Sequence, residues 1–244
     1  MKVLAVIPAR YSSTRFAGKV LAKDTGKYLI QHTYERACLA KCPEKVLIAA
    51  DDPKVVDAAK IFGAECVLTS PEHQSGTDRI AEAVTDIDVE IVVNLQGDEP
   101  EIDPDNIDYL AKLLIDHPDY PMATLAAEFQ TTEQVADPNI VKVIVGQKGH
   151  AIYFSRSPIP YDRDKSGVGD VKRYLRHIGI YAYRKSFLQK ITTLPQTPLE
   201  KIEKLEQLRA IENGYGILVG KVEHTCDGID TPEQYAEFVK RYKT

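Results

Sequence analysis

An α/β fold is predicted, with a parallel sheet extended by mixed or antiparallel strands. Three observations carry this reading. The first half of the chain alternates short apolar runs with helical patterns, the rhythm of strands joined by crossover helices. From Pro121 onward, strand-like runs follow one another with short polar connections. The length of 244 residues, 43% hydrophobic and 27% charged, suits one large domain, or a domain with a sizeable insertion, that buries a proper core.

Val3 to Ile7 is the first expected strand, and it runs into Pro8-Ala9-Arg10-Tyr11-Ser12-Ser13-Thr14-Arg15-Phe16-Ala17-Gly18-Lys19. Hydroxyls, backbone N–H groups and cations gathered in one loop suit a polyphosphate. A basic exposed loop closing a strand is the alternative. Neither the P-loop pattern nor the dinucleotide fingerprint is present. Tyr28 to Lys41 reads as a helix, with Leu29, Ile30, Thr33, Ala37 and Ala40 near one face. Val46–Ala50 is a second strand, and Asp51-Asp52-Pro53 starts a helix through Phe62. Glu65–Leu68 is a third strand. Ligands of such sheets sit beyond the carboxyl ends of the strands, where the opening loop lies.

Ser75-Gly76-Thr77-Asp78-Arg79 opens the next helix. A capping box explains Ser75 and Asp78 but asks for neither Gly76, Thr77 nor Arg79. Ile91–Leu95 is a buried strand followed by Gln96-Gly97-Asp98-Glu99-Pro100. An acid just past a central strand is well placed to hold Mg²⁺ against a phosphate; a simple turn is the competing reading, though a turn does not need Gln96. Asp103-Pro104 caps a helix over 105–115.

Met122–Phe129, Val141–Val145 and Ala151–Ser155 follow as strands, additions to the sheet that could form a dimerising arm. Arg156 to Arg176, rich in charge with Pro and Gly, is expected to be a long mobile loop. His177–Tyr183 alternates, with His177, Gly179, Tyr181 and Tyr183 on one face. A lone His on a strand is more often structural than catalytic. Thr197-Pro198-Leu199-Glu200 begins a helix expected to run to Glu212, with Leu199, Ile202, Leu205 and Leu208 as its apolar stripe. Glu203, Glu206 and Gln207 then read by default as a solvated face. Ile217–Val222 is the last strand. In the final helix Thr231, Pro232 and Gln234 complete a capping box, which leaves Asp230 without a local task.

The net charge of −5 argues against a dedicated nucleic-acid binder, while local clusters of cations keep an anionic small substrate open. The four cysteines, Cys38, Cys42, Cys66 and Cys226, form no C-x-x-C pair and no zinc spacing with the histidines. Cys38 and Cys42, four apart in a helical pattern, are expected to pack as small apolar groups. The chain begins on a strand rather than a signal peptide, and no apolar run nears the ~18 residues of a membrane span. A reducing cytoplasm is the expected setting.

Eight segments, IPARYSSTRF-GK, SGTDRIAEA, VNLQGDEP, DPNIVKV, AIYFSRSPIPY, HIGIYAYR, PLEKIEKLEQLR-IENG and GIDTPE, occur in an order that resembles the 3-deoxy-D-manno-octulosonate (Kdo) cytidylyltransferases over residues 2 to about 235. The resemblance implies a Rossmann-like nucleotidyltransferase sheet of the nucleotide-diphospho-sugar transferase type, with helices on both faces and a β-rich dimerisation insertion. It implies a single domain, nucleotide-binding over about 1–120 and sugar-binding and dimerising over about 121–244, usually as a homodimer. The implied reaction is CTP plus Kdo giving CMP-Kdo and pyrophosphate, with Mg²⁺, for lipopolysaccharide biosynthesis. Neither nucleic acid nor membrane is an implied partner.

Carried over residue by residue, the resemblance places Pro8, Ala9, Arg10, Ser12, Ser13, Thr14, Arg15 and Lys19 on the nucleotide, with Ser75, Gly76, Thr77, Arg79, Gln96 and Gly97. Arg10, Lys19, Asp98 and Asp230 are the expected catalytic groups, and Asp98 and Asp230 the expected Mg²⁺ ligands. Arg156 is the expected partner of the sugar carboxylate, beside Gln96, His177, Tyr181, Glu206 and Gln207. His177 is expected to bind first, with a base role open. The family's usual prolines are replaced by Ala17 and Val20, which predicts a looser empty loop and weaker nucleotide affinity. The same chemistry on an 8-amino Kdo analogue or a sialic acid is the nearest alternative. A non-catalytic nucleotide-binding protein of the same fold is the alternative from another class.

Overall fold

The computed structural model describes residues 1–12, 16, 18–223 and 228–243. The chain forms two compact units, one from Met1–Ala111 with Cys226–Thr244, the other from Lys112–Thr225. Ser13, Thr14, Arg15, Ala17 and Cys226, on which expectations are placed, lie outside the described residues.

The first unit is built from β1 (Val3–Ala9), α1 (Leu29–Ala37), β2 (Lys45–Ala50), α2 (Pro53–Ile61), β3 (Glu65–Leu68), α3 (Gly76–Ala83), β4 (Ile91–Asn94) and the start of α4 (Pro104–Asp116), with a last helix over Pro232–Tyr242. Its strands stand in the order β3-β2-β1-β4, all parallel. β1 and β4 are buried almost throughout and carry no alternation, as strands covered on both faces must be. The order reverses at β1, so the crevice past the carboxyl ends of β1 and β4 is the switch point where such sheets bind ligands. The loop after β1 and the turn after β4 both open there. The last helix closes the unit by packing Tyr235 and Phe238 with Leu29 and Ile229.

The second unit contains β5 (Met122–Glu128), α5 (Thr132–Ala136), β6 (Lys142–Val145), β7 (Ala151–Ser155), β8 (Leu175–Arg184), α6 (Lys185–Ile191), α7 (Pro198–Glu203), α8 (Leu208–Glu212) and β9 (Ile217–Lys221). β5 pairs antiparallel with β8 and parallel with β9, and β6 pairs antiparallel with β7, so the expected mixed sheet is present. Ser155, Lys142 and Arg176 lie in one row across β7, β6 and β8.

Three expectations are corrected, and one strand keeps its expected pattern by an irregular route. The helix expected to run unbroken to Glu212 is split, because Lys204 takes a left-handed conformation (φ 54°, ψ 46°) and Leu205 N–H closes on Glu200 O. The apolar stripe fails with it: Leu205 and Leu208 are buried, whereas Ile202 is 77% exposed. A buried two-pronged pair, Arg209 to Glu200 at 2.5 and 2.9 Å, holds the fold-back that the break permits. Cys38 and Cys42 do not pack as a helical pair, because α1 stops at Ala37; Cys38 is exposed and Cys42 only half-buried. In β8 the register against β5 slips between Thr124 and Leu125, whose partners are Tyr181 and Ile178. Two residues are inserted rather than one, so the alternation survives and Ile178, Ile180 and Ala182 all stay buried. Finally, β8 starts at Leu175, so the charged loop is shorter than expected, and it is stitched: Gly169 N–H donates to Tyr174 Oη at 3.0 Å, and Tyr174 packs on Phe129 and Val135.

Candidate active site

At the switch point two sequence-distant segments meet on Pro8. A methyl group added at Gly76 would stand 3.3 Å from the Pro8 ring, and one at Gly97 would stand 3.1 Å from the Pro8 carbonyl oxygen. These two glycines let the α3 start and the post-β4 turn press against the end of β1. Thr33 adds a hydroxyl bond to Gly97 O at 3.3 Å.

Lys19 lies in a 3-10 turn, Lys19–Leu21, that follows Gly18 in a left-handed conformation (φ 67°). Its side chain is nine-tenths buried, and its ammonium donates to Asp98 Oδ2 at 2.6 Å and to Ile229 O at 2.6 Å, with Asp230 Oδ1 at 3.4 Å. The segment carrying Asp230 is fixed from both sides: Ile229 N–H donates to Asp98 O at 2.8 Å, and Asp230 N–H to Gln234 Oε1 at 2.7 Å. The acid that capping left without a task therefore converges with Asp98 on one ammonium. Two carboxylates of this kind suit a hard divalent ion that completes its shell from phosphate and water. No cluster of three or more His, Cys, Asp or Glu with metal-holding geometry occurs among the described residues.

The loop after β1 is held by a residue whose role the sequence obscured. Asp52 alone caps α2, accepting from Lys54 N–H at 2.8 Å. That frees Asp51 to accept from Tyr11 N–H at 2.8 Å and to face Arg79 at 3.5 Å. Lys54 lies over the Tyr11 ring at 4.4 Å, and Gly18 N–H closes the loop onto Tyr11 O. Arg10 and Ser12 are exposed, Ala9 is buried and Pro8 half-buried. Val20 is buried in the 3-10 turn.

Ser75 and Asp78 form the expected capping box, and Thr77 is buried in the first turn of α3. Arg79 is fully buried and donates to Thr69 Oγ1 at 2.6 Å and Ser70 O at 3.2 Å, while its Nε has no partner among the described residues. Burial lowers its pKa, with the Asp51 carboxylate opposing and the Arg10 guanidinium adding to the shift. Arg79 thus ties the start of α3 to the segment after β3 and to Asp51. Gln96 is half-buried in the turn, where its carbonyl accepts from Glu99 N–H at 3.3 Å.

The second unit gathers the residues expected on the sugar. Arg156 follows Ser155 at the end of β7, and His177 follows Arg176 on β8, so both stand beside the row across β7, β6 and β8. His177 lies edge-on to Phe154, with ring centres 4.9 Å apart, and 5.4 Å from Tyr181. Burial raises the Tyr181 pKa, and the Glu206 carboxylate adds to the shift, which makes Glu206 a neighbour of that phenol. Gln207 is buried, and its Nε2 has no partner among the described residues, a donor suited to a polyhydroxy ligand. Neither glutamate belongs to a solvated face: the Glu203 carboxylate accepts from Ser155 Oγ at 2.7 Å and Arg156 N–H at 3.0 Å. Helical periodicity hid this residue.

The tautomer of His177 follows from Thr124. That hydroxyl donates its one proton to the carbonyls of Ile178 and Ile180, at 3.1 and 2.8 Å, so its oxygen accepts from His177 Nε2–H at 3.0 Å. Nδ1 remains as the acceptor. Burial pushes this imidazole from 6.5 to about 3. The unfolded chain takes up the proton as pH falls through about 6.5, whereas the folded chain refuses it until about 3. Stability should therefore decline across that window as pH drops, by up to ~1.4 kcal/mol per pH unit from this group. Urea unfolding of His177→Asn against the parent at several pH values checks this: the variant should show the flatter profile, and equal slopes would contradict the assignment.

A parallel sheet with a reversed order at β1, a cationic loop at the switch point and two carboxylates on one ammonium define a nucleotide-binding α/β protein of the Rossmann-like type. The family described as Cytidylyltransferase matches over residues 4–221. A 3-deoxy-manno-octulosonate cytidylyltransferase of Solibacter usitatus is 50% identical, with 99% of this chain and 95% of that protein covered. One of Rhodopirellula baltica is 47% identical with both chains covered in full. Among solved structures, a CMP:2-keto-3-deoxy-manno-octonic acid synthetase complexed with CTP matches at a TM-score of 0.94 and 42% identity, over 100% of this chain and 99% of that one. A cytidylyltransferase from Leptospira borgpetersenii, 21% identical at a TM-score of 0.63 over 98% of this chain and 85% of that one, shares the fold. The chain belongs to the cytidylyltransferase family, among its 3-deoxy-manno-octulosonate cytidylyltransferases.

Proposed function

We propose that this chain transfers CMP from CTP to the anomeric hydroxyl of Kdo, giving CMP-Kdo and pyrophosphate. The convergence of Lys19, Asp98 and Asp230 at the switch point carries this reading, and the names of its close relatives set the substrates. The sugar oxygen forms a bond to the α-phosphorus as the bond from that phosphorus to the α–β bridging oxygen breaks; pyrophosphate leaves with the electron pair, and the hydroxyl proton passes to solvent. Such a transfer depends on positioning and on neutralising charge. Arg10 and Lys19 meet the triphosphate, with Ser12 and, by the sequence resemblance, Ser13, Thr14 and Arg15 beside them. Pro8, Ala9, Ser75, Gly76, Thr77, Gln96 and Gly97 shape the nucleotide side, and Arg79 supports it.

Asp98 and Asp230 would hold Mg²⁺, which would supply Lewis-acid neutralisation of the phosphates and lower the pKa of the attacking hydroxyl. In the second unit Arg156 pairs with the sugar carboxylate, while His177, Tyr181, Glu206 and Gln207 serve its hydroxyls. An imidazole held to about 3 is a weak base at neutral pH, which supports a hydrogen-bonding role for His177. Pyrophosphate release from CTP, measured with Kdo, its 8-amino analogue and a sialic acid side by side, tests the substrate. Turnover with Kdo is expected to dominate; turnover with the amine alone would sink this choice.

The chain works as a soluble homodimer of the cytoplasm on this reading. Among the described residues no helix is long and apolar enough to cross a membrane. In the second unit Ile152, Tyr161 and Ile202 are 54, 68 and 77% exposed, apolar groups that a second copy would cover. Light scattering is expected to give twice the 27.3 kDa chain mass, and a monomer at micromolar concentration would refute the dimer.

A further inference from the structure

Arg156 is held by neutral acceptors, although an acid lies within reach. Its Nε–H donates to the main-chain oxygen of Glu203 at 2.7 Å, and Nη1 donates to Pro138 O at 3.0 Å. The Glu203 carboxylate turns instead to the backbone, accepting from Arg156 N–H at 3.0 Å and from Ser155 Oγ at 2.7 Å. A carboxylate forked onto the guanidinium would neutralise it and compete with any anionic ligand. Carbonyls fix the same plane and leave the charge in place. Among the described residues, Nη2 and one N–H of Nη1 keep no protein acceptor, and these are what an incoming carboxylate needs.

The local conformation follows from this arrangement. The left-handed turn at Lys204 ends α7, so the Glu203 carbonyl is free of the helical ladder and available to Arg156 Nε. On the other side, Lys142 is fully buried and donates to Asp137 O at 2.9 Å and Ile140 O at 2.8 Å, which fixes the turn that presents Pro138 O. One residue, Glu203, thereby grips Arg156 twice, by carboxylate at the backbone and by carbonyl at the guanidinium.

We propose that Glu203 is a positioning residue for acidic-sugar recognition: it aims the Arg156 guanidinium while leaving it un-neutralised for the carboxylate of the substrate. This rests on the reading that Arg156 binds that carboxylate. Removing the Glu203 carboxylate frees Ser155 and the Arg156 backbone, while the carbonyl of residue 203 still meets Nε; the fork is then held at its head but not at its base, and loses part of its aim although its charge remains.

The test is steady-state kinetics on the full chain for Glu203→Ala, Arg156→Ala and the double variant, varying Kdo and CTP separately, with thermal melts alongside. Glu203→Ala is expected to raise the sugar KM about tenfold, the equivalent of one hydrogen bond to a charged group, with the CTP KM changed less than about twofold. The double variant should bind sugar no worse than Arg156→Ala alone, because the positioning residue acts only through the arginine. If Glu203→Ala leaves the sugar KM unchanged while Arg156→Ala raises it, the positioning role is overturned and the carboxylate reading stands. If Arg156→Ala also leaves it unchanged, the carboxylate reading itself fails. Additive losses in the double variant, or equal rises in both KM values with a lowered melting temperature, would assign Glu203 a purely structural part. Should Glu203→Ala fail to fold, Ser155→Ala removes one of the two carboxylate anchors and is read in the same way, with a smaller rise in the sugar KM expected.

Discussion

Asp98→Ala is expected to lower kcat on the order of 10³-fold while leaving the fold in place. The rate term follows from the chemistry: a carboxylate that holds a divalent ion against a transferring phosphate contributes several kcal/mol of charge stabilisation, and each ~1.4 kcal/mol is a factor of ten. The fold term follows from the contacts. Lys19 keeps Ile229 O at 2.6 Å and Asp230 Oδ1 at 3.4 Å, so losing Asp98 leaves no buried charge unpaired. The Asp98 backbone oxygen still holds Ile229 N–H, which keeps the Asp230 segment in place. The loss should therefore appear in turnover, and in the Mg²⁺ concentration needed for half-maximal rate, rather than in the melting temperature. Unchanged turnover at saturating Mg²⁺ would defeat the metal assignment.

Arg156→Ala should raise the sugar KM about 10²-fold, the equivalent of the ~3 kcal/mol upper range for hydrogen bonds to charged groups. Arg156→Lys should fall between this variant and the parent. Lysine restores the charge but not the planar fork, so it cannot serve Glu203 O, Pro138 O and a ligand carboxylate with one rigid group. CTP affinity should be untouched in both. Initial-rate measurements at varied Kdo and saturating CTP check this, and a CTP KM that moves as much as the sugar KM would place Arg156 elsewhere in the reaction.

The parts of the fold that were legible in the sequence are those where local chemistry and tertiary packing agree. β3 and β7 fall on the predicted residues because their bounding turns are unambiguous, and the capping boxes at Ser75 and Thr231 form as the spacing dictates. The α7–α8 break was not legible. Its cause is a left-handed lysine favoured by a buried Arg209–Glu200 pair, a tertiary contact that overrides a continuous helical pattern. The bulge in β8 was hidden for a related reason: inserting two residues preserves the alternation that sequence reading relies on.

The candidate site divides in the same way. Asp230 could be singled out because the local capping box gives its side chain no role, and it does converge with Asp98 on Lys19. Asp51 carried the same signal, since Asp52 alone satisfies the α2 cap, yet the doubled acid reads as one cap. Glu203 carried none. Its role comes from a carbonyl released by a helix end that the sequence does not mark, and it became visible only with Arg156 beside it.

Phosphorus NMR of the protein with CTP, Kdo and Mg²⁺ tests the central claim most directly, because it reads both products of one bond exchange. Loss of the three CTP signals, with a CMP-sugar phosphodiester and pyrophosphate growing in one-to-one proportion, is the predicted result. CTP that persists unchanged, or that yields CDP and inorganic phosphate, would contradict it.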